Sequence, residues 1–299
     1  MPSLAAWLVA RPLNAVFALA ITMLMPGLAT VSGAVLVLLV IQQDVQKAMF
    51  AAGFAGLILV VVAFLSGSSP ILVLIGVATF WLPILALAGV MRSTRSLTLT
   101  LQLSVIVVLV GIGTFFALTD DPAGFWQEVI AATPTLRGMQ LAELRAAVGA
   151  SAEQFAGIMT TLFAIGFWFG LVMVVTLGYW LFQQLPNKTA EFGRFCDLNF
   201  GRVVALLLAV TSVIGFAVNA IWIQSIAFVL FAVFWLQGAA LVHWLRASGF
   251  VPVIAVFAVY ILTILSLVIV NLQYMIPLLA VLGYTDAWFR YRDRVTKQQ

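Results

Sequence analysis

Charge is the scarcest feature of this 299-residue sequence. Asp, Glu, Lys and Arg make up 8% of it, where a soluble domain carries about 25%. Apolar residues make up 64%. A water-soluble fold of this length is excluded, because so few polar groups cannot cover its surface; the missing solvent is lipid. There is one cysteine, Cys196, which rules out an internal disulfide and a cysteine-built metal site. There is one histidine, His243, which removes the common zinc ligand sets. No phosphate-binding loop, dinucleotide fingerprint, G-x-S-x-G or H-E-x-x-H is present, and Gly111-Ile112-Gly113 lacks a third glycine and sits in an apolar run. The sequence therefore asks for no cofactor and no metal, and offers nothing to nucleic acid. The small excess of 14 basic over 10 acidic residues is a statement about topology, since basic residues gather on the cytoplasmic side of membrane proteins.

Long apolar runs are what the sequence does have. A membrane-spanning helix needs roughly 20 apolar residues. Ala48–Leu65, Ile71–Met91, Leu97–Leu118, Phe155–Phe182, Val203–Val218 and Ile221–Leu245 meet that length, with Asn219 and Gln224 marking a turn between the last two. Leu13–Ile41 is long for one helix, and Pro26-Gly27 predicts a break in its middle. Val251–Phe289 is interrupted by Asn271, Gln273 and Pro277. Keeping Arg11, Lys47, Arg92, Arg95, Lys188, Arg194, Arg202, Arg246 and the basic tail on one side forces both stretches to be hairpins, the second running out along Val251–Val270 and back along Leu272–Phe289. The expectation is an all-α polytopic bundle of about ten membrane segments, a single integral membrane domain with both termini cytoplasmic. Of the basic residues only Arg137 and Arg145 then lie outside. Arg11 interrupts the first apolar stretch, so the N-terminus does not resemble a cleavable signal peptide.

Three segments lie off the spans: an outer loop at 119–153, an inner loop at 184–202 and a basic tail at 290–299. In the outer loop, Phe125, Trp126, Val129 and Ile130, then Leu136, Gln140, Leu144 and Val148, are spaced for two short amphipathic helices separated by Pro134. These either lie on the outer membrane face or pack over the bundle. In the inner loop, Phe192, Phe195, Leu198 and Phe200 alternate with charged residues as in an interfacial helix.

Every ionisable residue is expected at a loop or helix end, which speaks against a proton-coupled pump built on a buried carboxylate. The amides inside apolar runs are Gln102, Asn219, Gln224, Gln237, Asn271 and Gln273. They act either as hydrogen-bonding links between helices or as the lining of a pocket for a small uncharged ligand. Asn271 and Gln273 are the leading ligand candidates, because a broken helix frees backbone groups beside a cavity. His243, beside Trp244 and Arg246, reads as an interfacial residue, and Cys196 as a plain half-buried thiol. Gly166–Gly170 and Ala6–Ala10 are small-x-x-x-small matches, read first as close packing within the chain and second as partner contacts.

The closing run Leu282-Gly283-Tyr284-Thr285-Asp286-Ala287-Trp288-Phe289-Arg290-Tyr291-Arg292, with Gln237-Gly238-Ala239-Ala240 before it, resembles the end of the YybS-like family of uncharacterised bacterial inner-membrane proteins. That family is remotely similar to the membrane S components of energy-coupling-factor transporters and to the rod-shape protein MreD. The resemblance implies a multi-pass protein of the bacterial inner membrane. It implies first a transport-type subunit that binds a small molecule, resembling an S component, and as the alternative a cell-envelope scaffold or regulator, with an ATPase or a membrane protein as partner. An enzyme is not expected, because nothing in the sequence supplies an acid–base pair inside the membrane. On residues alone, Gly283 is a candidate helix terminator. Trp288 and Tyr291 would sit at headgroup level, Arg290, Arg292 and Arg294 would meet lipid or a partner, and Asp286 would pair with Arg290 one turn on.

Overall fold

The structure, a computed structural model, describes residues 4–25, 27–132, 152–186, 190–266 and 275–292. Among these residues it contains helices, turns and no strands. The helices are α1 (Leu4–Ala10), α2 (Pro12–Leu24), α3 (Ala29–Gln42), α4 (Val45–Leu65), α5 (Pro70–Thr94), α6 (Leu97–Leu118), α7 (Pro122–Ala132), α8 (Ala152–Gln183), α9 (Gly201–Val218), α10 (Ile221–Ala247), α11 (Val253–Ser266) and α12 (Met275–Phe289).

Six of them are long and apolar enough to cross a membrane: α4, α5, α6, α8 from Gly157, α9 and α10. They coincide with the six apolar runs, so the chain is a multi-pass helical membrane protein. Local chemistry sets their ends. Asp44 caps α4, its carboxylate accepting the Val45 N–H at 2.7 Å. Pro12 and Pro70 open α2 and α5, where a missing N–H costs nothing. Asn219, in the left-handed region at φ 52°, ends α9 and turns the chain into α10. Gln224, by contrast, lies within α10 and not in the turn.

The remaining apolar helices are short. A break is present between α2, which ends at Leu24, and α3, which starts at Ala29. These have 13 and 14 residues, about 20 Å at 1.5 Å per residue, against a hydrocarbon core of roughly 30 Å. The chain also bends by 116° between α1 and α2, at Arg11. The terminal stretch likewise gives two short helices, α11 and α12. In the outer loop, α7 matches the first expected amphipathic helix; the second, around 136–148, lies outside the described residues. The inner loop departs from the expected interfacial helix. Among its described residues the one helical piece between α8 and α9 is a 3₁₀ turn at Phe195–Asp197, and Phe192, Leu198 and Phe200 are buried.

By internal contacts the chain divides into two compact units, residues 1–104 with 168–193 and residues 105–167 with 194–299. In the first, α3 is buried on every side from Ser32 to Ile41, as an all-round apolar helix should be. Its last carbonyls need partners. Arg92 supplies them, donating from Nη1 to Val40 O at 2.6 Å and to Ile41 O at 3.3 Å. Ser32 donates to Leu19 O and accepts the Trp81 indole N–H at 3.2 Å. Trp168 donates in the same way to Ser104 at 3.1 Å. In the second unit α10 takes the central place, buried at a dozen positions from Ser225 to Leu241, with α9 and α12 against it. There Trp126 donates to Thr160 at 2.8 Å, and Thr161 to Ser225 at 2.9 Å.

Candidate functional site: a buried polar cluster joining α10, α12 and the inner loop

Gly238 of α10 and Gly283 of α12 face each other at backbone distance. A Cβ on Gly283 would overlap the Phe234 carbonyl, and one on Gly238 would overlap the Leu279 carbonyl. Gly283 is therefore a mid-helix contact residue and not the end of α12. This approach brings Gln237, one residue before the glycine, within reach of the neighbouring backbone.

Gln237 is fully buried and both ends of its amide are engaged. Oε1 accepts the Phe200 N–H at 2.8 Å. Nε2 donates to Gly283 O at 3.0 Å and to Asp286 Oδ2 at 3.3 Å. One side chain thus ties the inner loop, α10 and α12 together, where an unpaired buried amide would be costly.

Asp286 is 0% exposed. Its Oδ2 lies 3.3 Å from Arg292 Nη2, an ion pair by distance rather than a straight hydrogen bond. Arg292 is itself nearly buried, and its Nη1 donates to Cys196 O at 2.7 Å. The turn that returns Arg292 to the helix is made by Arg290, whose φ of 49° ends α12 while its N–H donates to Asp286 O at 2.9 Å. The carboxylate thus pairs two residues further along than the Arg290 that helical spacing predicts. Arg290 is exposed. Trp288 also points inward instead of into lipid: it packs on the Ala205–Phe234–Ala287 core, and its carbonyl accepts from Arg202 at 3.3 Å. Asp286 stands in the last turn of α12, a helix end as expected for an ionisable residue, but it is buried in the protein and does not face a loop.

The inner loop shows where its backbone groups go without a helix. The Phe192 carbonyl accepts the Leu97 N–H at 2.7 Å, and the Gly193 carbonyl accepts from Tyr179 Oη at 3.0 Å. Cys196 O and Phe200 N are met by Arg292 and Gln237. Arg194 and Asp197 form an exposed bidentate pair. The Cys196 thiol is pushed above the usual cysteine range, first by burial and then by the Asp197 charge.

The other candidate amides divide. Gln224 donates to Gly215 O at 3.1 Å and to Asn219 Oδ1 at 3.0 Å, so this pair braces the α9–α10 turn. Gln224 also borders an apolar groove of ≈ 410 Å³ with Thr211, Gly215 and Phe228. Asn271, Gln273 and Arg294 lie outside the described residues. Among the described residues, a Cβ at Gly166 or Gly170 would meet nothing within 4 Å, so no close approach is seen there.

No family model, curated protein or solved structure matches this chain. The site therefore speaks through its own geometry. Among the described residues, no three of His, Cys, Asp and Glu stand close enough to hold a metal ion. What the cluster does chemically is fix two polar segments, the loop at 194–200 and the turn at 290–292, to one buried helix. Gln237, Asp286 and Arg292 each stand out in the sequence, but for separate tasks. Phe200 and Cys196 take part through backbone atoms, which leave no side-chain signature.

Proposed function

We propose that this protein is a non-enzymatic scaffold or regulatory subunit of a bacterial inner membrane, acting through a docking face formed by the loop at 194–200 and the C-terminal turn at 290–292. The observation that carries this reading is the Gln237–Asp286–Arg292 cluster. It joins both segments to α10 and leaves Arg194 and Arg290 exposed around them. A charged rim on a fixed base suits a protein partner. The reading keeps both ends of the chain cytoplasmic, with ten membrane segments counting the four short helices. Helix ends support that alternation within each unit. Gln43, just past α3, donates to Val9 O at the start of the first hairpin. Arg92 at the end of α5 meets the end of α3. Arg202 at the start of α9 meets the end of α12.

A second reading, a small-molecule-binding subunit resembling an S component, is favoured by the groove beside Gln224. It is weakened by the engagement of Gln237, Asn219 and Gln224 with the protein itself. Copurification in mild detergent followed by mass spectrometry separates the two. The scaffold reading expects a cell-envelope or membrane partner that is retained by the wild type and lost from a variant with Arg194→Glu and Arg290→Glu. A bound small molecule, with partner recovery unchanged in that variant, would favour the transport reading and refute the scaffold.

A further inference from the structure

The inner end of α10 carries a second polar site that the cluster does not use. His243, Arg246 and Ala247 line a cleft of ≈ 510 Å³ with Phe195 and Cys196 from the inner loop. His243 Nε2 lies 2.8 Å from the hydroxyl of Tyr260 on α11. The imidazole stands edge-on to Phe195, ring centres 5.6 Å apart. Whichever partner donates, one proton of the pair remains for a ligand. If Tyr260 donates to Nε2, Nδ1 carries the imidazole hydrogen; if Nε2 donates, the hydroxyl hydrogen is free. Arg246 is exposed in the last turn of α10, and among the described residues it has no acidic partner. The nearby carboxylate, Asp197, is held by Arg194 through bonds of 2.9 and 3.2 Å, so that pair adds no net charge to the cleft. The balance in the cleft is one guanidinium beside an imidazole that pairs with Tyr260 on α11.

Next to this polar end runs an apolar one. Val253, Ile254, Phe257, Ile261 and Ile264 are exposed along α11, the helix that carries Tyr260. A cationic, hydrogen-bonding head beside an exposed apolar track is the outline of an amphiphile. A free phosphate would use only the head. Basic pockets between membrane helices on the cytoplasmic side are suited to anionic lipid headgroups.

We propose that this cleft binds the phosphate of an anionic phospholipid. Arg246 supplies the counter-charge, His243 and Tyr260 supply a hydrogen bond, and the acyl chains lie along α11. The test uses the full chain in nanodiscs or mild detergent, with native mass spectrometry after exchange into phosphatidylglycerol, phosphatidylcholine or inorganic phosphate. The expected result is retention of one phosphatidylglycerol, reduced at least about fivefold (about 1 kcal/mol at 25 °C) in Arg246→Gln and restored in part by Arg246→Lys. Phosphatidylcholine retention should not change, and Arg95→Gln, an exposed arginine at the end of α5, should behave as wild type. Tyr260→Phe gives an independent reading: it keeps the ring and the charge and should weaken retention. Equal retention by wild type and both cleft variants would overturn the proposal. So would inorganic phosphate binding as tightly as the lipid, which would assign the cleft to a soluble anion.

Discussion

Asp286 and Arg292 are buried together, and the energy of such a pair lies more in keeping it whole than in having it. Taking two charges out of water costs several kcal/mol each, which their attraction and hydrogen bonds repay only in good geometry. Removing one partner strands the other. Asp286→Ala should therefore lower stability by about 3–5 kcal/mol, read as a fall in the unfolding midpoint in detergent. Replacing both residues, Asp286→Leu with Arg292→Met, should recover most of that loss; a double variant worse than Asp286→Ala would show that the pair is not the source. Cys196 carries a second prediction at this scale. A thiol pushed above its ordinary pKa holds less thiolate at any given pH, so alkylation by iodoacetamide should be slow at neutral pH. It should rise only at more alkaline pH than for the same cysteine in the unfolded chain. Coincident pH profiles for folded and unfolded protein would contradict the burial of that loop. Both residues were visible in the sequence, but their partners were not. A left-handed residue that is not glycine, Arg290, re-aims the chain by two positions, and nothing in the helical spacing signals it.

Among elements, the contact of α10 with α12 is the most exacting, because two backbones meet at Gly238 and Gly283. Gly283→Ala should cost about 1–3 kcal/mol or more through overpacking. Gly166→Ala faces open space and should cost nothing, with a gain of up to about 1 kcal/mol from helix propensity. Thermal unfolding of the two variants side by side decides it, and the same sign for both would be wrong for this packing. The contrast shows what periodicity can tell. The G-x-x-x-G pattern points to Gly166, where no described residue packs, while the working contact is made by single glycines on separate helices. The six long helices were legible because twenty apolar residues have few other fates. The links between them were less so: Trp81 with Ser32, Trp168 with Ser104 and Trp126 with Thr160 tie neighbouring segments, in a chain where Trp, Ser and Thr recur too often to single these out. The alternation of apolar residues with charge in the inner loop suggests a helix that does not form. Phe192, Leu198 and Phe200 are buried one by one instead, and side chains satisfy backbone groups of the loop.

At the scale of the whole molecule, scarcity of charge marks the class, and the placement of the few charges supports the proposed topology. The short helices α2, α3, α11 and α12 are where length and hydropathy cease to decide between a full span and a buried or re-entrant piece. The proposed docking face depends on that topology, since the loop at 194–200 and the turn at 290–292 must share the cytoplasmic side. Labelling of single cysteines from either side of the membrane, in a Cys196→Ser background, tests this most directly. The account predicts that cysteines at Glu191, Arg246 and Arg290 react only from the cytoplasm, and those at Asp121 and Ser68 only from outside. Labelling of Glu191 and Arg290 from opposite sides, or of Arg290 and Asp121 from the same side, would contradict it.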